Sequence, residues 1–152
     1  MSLSIASTGF AAGQPIPAVY SCHGRNVSPP LAWAGAPGAT KSFALILDDP
    51  DAPSGTFVHW VLYNVPAGSR NLPEAVPGRA KLDDGSLQGT NGAGGTGYTG
   101  PCPPSGTHHY HFKLYALDSA LSLPSGATKD QVLKAMQGHI LAQAELIGTF
   151  SK

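Results

Sequence analysis

Hydrophobic positions along the chain fall into a few short runs with a two-residue period, separated by long stretches of turn residues. In SFALILDD at 42–49, Phe43, Leu45 and Leu47 share one strand face, and Asp49 takes the next position on it. FVHWVLYNV at 57–65 divides into Phe57, His59, Val61, Tyr63 and Val65 on one side and Val58, Trp60, Leu62 and Asn64 on the other. Both sides are largely apolar, which predicts a central strand covered on both faces. HHYHFKLYAL at 108–117 alternates strictly, with His108, Tyr110, Phe112, Leu114 and Ala116 on one face and His109, His111, Lys113, Tyr115 and Leu117 on the other. AELIGTF at 144–150 predicts a closing strand. One segment carries a helical period. Thr128 and Gln131 have capping-box spacing, Val132, Leu133 and Met136 form an apolar stripe, and Gly138 is a natural stop, so a helix is predicted near 129–137.

Residues 1–40 are broken by glycine and proline, leaving room only for brief edge strands. Residues 66–107 read as loop, and so long a segment without elements of its own points to function. No internal repeat or domain boundary is visible, and 152 residues suit one domain with a real core. The expected fold is mainly β: an antiparallel sandwich with one late helix. Composition agrees, because 19 glycines and 14 prolines in a chain with only 12% charged residues suit short strands joined by many turns.

Charge and cysteine usage narrow the function classes. Nine basic residues balance nine acidic ones, which leaves no basic footprint for nucleic acid or a membrane surface. The N-terminus lacks the basic and apolar regions of a secretory signal. No stretch approaches the ~20 apolar residues that span a bilayer. A cytoplasmic protein without stable membrane insertion is therefore expected. Cys22 and Cys102 match neither a disulfide framework nor a zinc motif, and reduced thiols are expected, with a bridge as the alternative in an oxidising compartment. With 14 prolines and tight DPDAP and GPCPP loops, at least one cis X-Pro bond is expected.

Several motifs suggest chemistry that their context withholds. Gly92, Gly94 and Gly97 satisfy GxGxxG, but no buried strand precedes them and no helix follows to hold a pyrophosphate, so the segment reads as a flexible loop. His109 and His111 point the same way on a strand, yet Lys113 shares their face, which favours solvated side chains over a metal site. No GxSxG elbow occurs, and a Cys102–His108–Asp49 nucleophilic site remains as the hydrolase alternative. A more specific pattern gathers Asp49, His59, His108 and Tyr110 on strand ends beside the stiff GPCPPSG loop. Two imidazoles, a phenol and spare backbone N–H groups would suit a phosphate-like anion.

DPDAP at 49–53 with HW at 59–60, and GPCPPSGTHHY at 100–110 with FKLYALD, resemble the two signature regions of the phosphatidylethanolamine-binding protein, or Raf kinase inhibitor-like, family. NVSPPLAW at 26–33, QGTN at 88–91 and GHILAQAELIGTF at the end resemble its bacterial and archaeal branch. The resemblance implies a Greek-key β-sandwich with a small anion pocket at one end. Carried onto this chain, the ligand-binding positions are Asp49, His59, Cys102 through its backbone, His108 and Tyr110, with Phe57 and Pro103 as walls. Asp51 would support the DPDAP turn. It further implies a non-enzymatic binding protein for a phosphorylated small molecule, headgroup or phosphopeptide, with no cofactor and no metal. Inhibition of a protease or kinase through the pocket rim is the alternative, and a homodimer is left open. The chain departs from the family in three places: His109 stands where arginine is frequent, NGAGG follows QGT, and the DPDAP-to-HW loop is short.

Overall fold

A computed structural model describes residues 2–152 and contains eight strands and one α-helix. The strands are β1 (Ser4–Ala6), β2 (Leu31–Ala34), β3 (Ser42–Asp49), β4 (Phe57–Pro66), β5 (Asn71–Leu72), β6 (Leu87–Gln88), β7 (Thr107–Leu117) and β8 (Ile140–Ser151). The helix α1 spans Lys129–Met136. Two antiparallel sheets result, a small one of order β1-β2-β5 and a large one of order β6-β4-β3-β7-β8. In the large sheet β3, β4 and β6 follow one another and β7 returns beside β3, which is Greek-key order.

The apolar alternation explains where β3 lies. Its eight residues are all buried because both faces are covered. Phe43, Leu45 and Leu47 join Trp33, Leu31 and Leu72 in the core between the sheets. Ala44 and Ile46 pack with Val132 and Met136 of α1 on the other side. β7 keeps the predicted alternation, burying His108, Tyr110, Phe112, Leu114 and Ala116. In α1 both halves of the capping box form: Thr128 Oγ1 accepts from the Gln131 N–H, and Gln131 Oε1 accepts from the Thr128 N–H. Gly138, at φ +81°, ends the segment. No helix among the described residues is long and apolar enough to cross a membrane.

Three expectations need correction. Cys22 and Cys102 are joined in a disulfide, because the N-terminal segment folds over the GPCPP loop. The expectation of reduced thiols falls with it. No peptide bond among the described residues is cis; the tight loops turn through glycines and through Asn26 at positive φ instead. The glycine run at 92–97 is a wound turn built on Asn91, whose Oδ1 accepts from the Ala93 and Gly95 N–H groups and whose Nδ2 donates to the Gly97 carbonyl. Gln88 organises the loop before it, accepting from Trp60 Nε1 at 2.7 Å and donating to the carbonyls of Pro77 and Arg79.

Candidate functional site

β4 does not keep a two-residue period, and this positions His59. Asp48 pairs with Val58 and Leu47 with Trp60, so His59 is an extra residue opposite the β3 ladder. A second irregularity follows between Phe43 and Leu45, where Asn64 has φ +57°. Strict alternation would group His59 with Val61 and Tyr63, which pack toward α1. The bulge turns the imidazole to the opposite side instead, where its ring lies 4.7 Å from Phe57 and 5.2 Å from Tyr110, both edge-on. Bulges beside functional sites often re-aim one side chain in this way.

Asp49, the last residue of β3, is buried and fully engaged. Its Oδ2 lies 2.6 Å from His108 Nδ1, and its Oδ1 accepts the Asp51 N–H at 2.8 Å. The second bond folds the DPDAP turn back on its own first residue, an Asx-type turn. Asp51 then ties the turn to β7, accepting both the N–H and the ring of His109. Those bonds hold the Asp51 carboxyl below the usual range. His111 pairs with Glu145, so the two outward histidines are carboxylate partners on the far face of β7.

The opposite wall comes from two segments tied together. The Cys22 N–H donates to the Pro101 carbonyl, the Gly100 N–H to Asn26 Oδ1, and the Tyr98 hydroxyl to the Tyr20 carbonyl. A β-carbon on Gly100 would lie 2.1 Å from the Tyr20 carbonyl oxygen, so only glycine permits this approach. The Cys22–Cys102 bridge completes the seam.

Between these parts opens a cavity of about 370 Å³. Asp49, Phe57, His59, Cys102, Pro103, His108 and Tyr110, the seven positions that the family resemblance implied, all line it. Sequence reasoning missed Thr99 and Cys22. Thr99 acts through its carbonyl, which accepts from His59 Nδ1 at 2.7 Å, and a backbone acceptor leaves no mark in the residue type. Burial pushes the His59 pKa below the ordinary imidazole value, while the Thr99 carbonyl and the Asp49 charge oppose that shift only in part. The Thr99 carbonyl fixes a proton on Nδ1, and burial disfavours a second one on Nε2.

The Tyr110 hydroxyl is buried with no hydrogen-bond partner. Burial first, then the charges of Asp49 and Asp51, raise its pKa, so it stays protonated and able to donate. Among the described residues the Cys102 N–H also has no internal acceptor. The arrangement offers a phenol donor, a backbone donor, two imidazole edges and a fixed carboxylate within one small, mostly apolar cavity.

Residues 6–151 match the family model for phosphatidylethanolamine-binding protein. A UPF0098 protein of Methanothermobacter thermautotrophicus is 56% identical over 137 residues, covering 90% of this chain and 91% of that protein. The crystal structure of a phosphatidylethanolamine-binding protein homologue from Chlamydia trachomatis superposes with a TM-score of 0.92 at 44% identity, over 99% of this chain and 98% of that one. The E. coli protein YbcL, described as a member of the mammalian PEBP family, gives a TM-score of 0.92 at 34% identity, over 100% and 99%. With the same fold as these structures and a family match along almost its whole length, the chain belongs to the phosphatidylethanolamine-binding protein family.

Proposed function

We propose that this protein binds a phosphate-bearing ligand in the Asp49–His59–His108–Tyr110 cavity and does no chemistry on it. The observation that carries this reading is the Tyr110 hydroxyl, a buried donor at the cavity with no partner in the protein. Such a group costs roughly 1–3 kcal/mol unless something bonds it, and a ligand oxygen would do so. The unpaired Cys102 N–H beside it supports the same class of ligand. The disulfide argues against the hydrolase alternative, because the Cys102 sulfur is bonded to Cys22 and is no free nucleophile.

Titration with inorganic phosphate followed by NMR tests the proposal. His108→Ala and His59→Ala should each weaken binding by about 10- to 100-fold, the range for hydrogen bonds to a charged group. His109→Ala and His111→Ala, on the other strand face, should leave it nearly unchanged. Loss of binding in His109→Ala with retention in His108→Ala would place the ligand on the wrong side of β7 for this account.

A further inference from the structure

The cavity is poorly supplied with positive charge for an anion site. No Lys or Arg lines it, and its fixed carboxylate is Asp49. A fully ionised dianion would enter with little to balance it. The hydrogen-bond inventory points the same way. His59 Nδ1 and the Thr99 carbonyl oxygen are 2.7 Å apart, and the hydrogen between them can only come from the ring. Nε2 of the neutral ring is then a bare acceptor.

From this donor and acceptor pattern we infer that the pocket selects anions that keep an acidic proton, hydrogen phosphate and singly protonated phosphomonoesters, over sulfate and phosphodiesters of similar shape. The inference rests on the phosphate reading of the cavity. A protonated phosphate oxygen can donate to His59 Nε2 while its other oxygens accept from Tyr110 and the Cys102 N–H. Sulfate or a diester would set two lone pairs against each other at Nε2, and sites built to bond a hydroxyl reject analogues that lack it.

Other groups facing the His59 ring do not reverse this. The Thr99 carbonyl, Asp49, Asp48 and the Gly100 backbone favour its charged form, while burial at 4% exposure opposes it more strongly. His108 and Tyr110 face the ring from β7. Whatever proton His108 carries, sulfate experiences it as phosphate does. Sulfate therefore reports the protein's own titration and isolates the ligand's.

The test is calorimetric titration with inorganic phosphate, phosphoethanolamine, glycerophosphoethanolamine and sulfate, from about pH 5 to about pH 8, spanning the phosphomonoester second pKa of ~6. Near the lower end, phosphate and the monoester should bind roughly 10- to 100-fold more tightly than sulfate and the diester. As pH rises, monoester affinity should fall more steeply than sulfate affinity, by up to about tenfold per unit above that pKa. In H59Q, whose amide can turn a donor toward the ligand, the phosphate-to-sulfate ratio should collapse toward unity. Binding of all four ligands with similar affinity, parallel pH slopes, or an unchanged ratio in H59Q each overturns the selectivity while leaving phosphate binding intact. Failure of all four to bind overturns the phosphate reading and the selectivity together.

Discussion

Asp49→Ala is expected to lose about 3–5 kcal/mol of stability, the cost of removing one partner from a buried charged contact. Both oxygens of this 3%-exposed carboxylate are in use. Truncation strands the His108 ring nitrogen in a buried site and frees the Asp51 N–H that closes the DPDAP turn. Asp51→Ala, two residues away, removes a carboxylate whose contact with His109 is largely open to water, with side-chain exposures of 42% and 54%. Solvent screens that pair, so its loss should be much smaller. Denaturant unfolding of the two variants separates them. Equal losses, or an Asp49→Ala loss below about 1 kcal/mol, would mean that water replaces the carboxylate and that the buried pair does not hold this end of the sheet.

The second large effect concerns the seam between the N-terminal segment and the GPCPP loop. The bridge joins residues 80 positions apart, for which the chain-entropy model gives ~4.5 kcal/mol as an upper figure and measured cases usually fall at about 2–4 kcal/mol. Cys22→Ser/Cys102→Ser should therefore lower the melting temperature by roughly 5–15 °C. The single variants should behave like the double one, since either breaks the bridge. Scanning calorimetry without reductant makes the comparison, and a thiol assay on denatured wild type should find no free thiol. Two free thiols, or a double variant that melts with wild type, would contradict the bridge.

Four strands of the large sheet, β3, β4, β7 and β8, were legible in the sequence because they are buried on one or both faces and their side chains say so, whereas the two-residue β6 fell within the segment read as loop. β3 runs over the predicted residues 42–49, and β7 buries the predicted face. The helix was legible from its capping box and apolar stripe. β8 begins at Ile140, earlier than the pattern indicated, because Ile140 and Leu141 are both exposed apolar residues and the inward positions that follow, Ala142 and Ala144, are small and only half-buried. The small sheet escaped for a similar reason: β1 and β5 are three and two residues long, too short for any period.

At the site, signature residues identified the cavity lining, but not how His59 reaches it. A bulge is a matter of pairing between strands, and counting along one strand cannot register it. Period-two counting put His59 beside Val61 and Tyr63, while the ladder turns it toward Tyr110. The disulfide was illegible for the same kind of reason. Only the path of the N-terminal segment across Pro101 and Gly100 brings Cys22 to Cys102. Asn26 and Gln88, present in the sequence as parts of family-like motifs, turn out to act as fasteners for loops that carry or flank the cavity wall.

The central claim is that the cavity holds a ligand through the Tyr110 hydroxyl, and Tyr110→Phe tests it most directly. The variant deletes one buried, unpartnered oxygen and leaves the ring in place. Such a hydroxyl stabilises nothing when the cavity is empty, so thermal unfolding of the free protein should be unchanged or shifted upward, by up to the roughly 1–3 kcal/mol that an unpartnered buried donor costs. Phosphate affinity, measured on the same preparation, should fall at least tenfold, or about 1.4 kcal/mol, for the lost hydrogen bond. A variant that is clearly less stable yet binds phosphate as wild type does would contradict the account, because the hydroxyl would then serve the fold and the ligand would lie elsewhere.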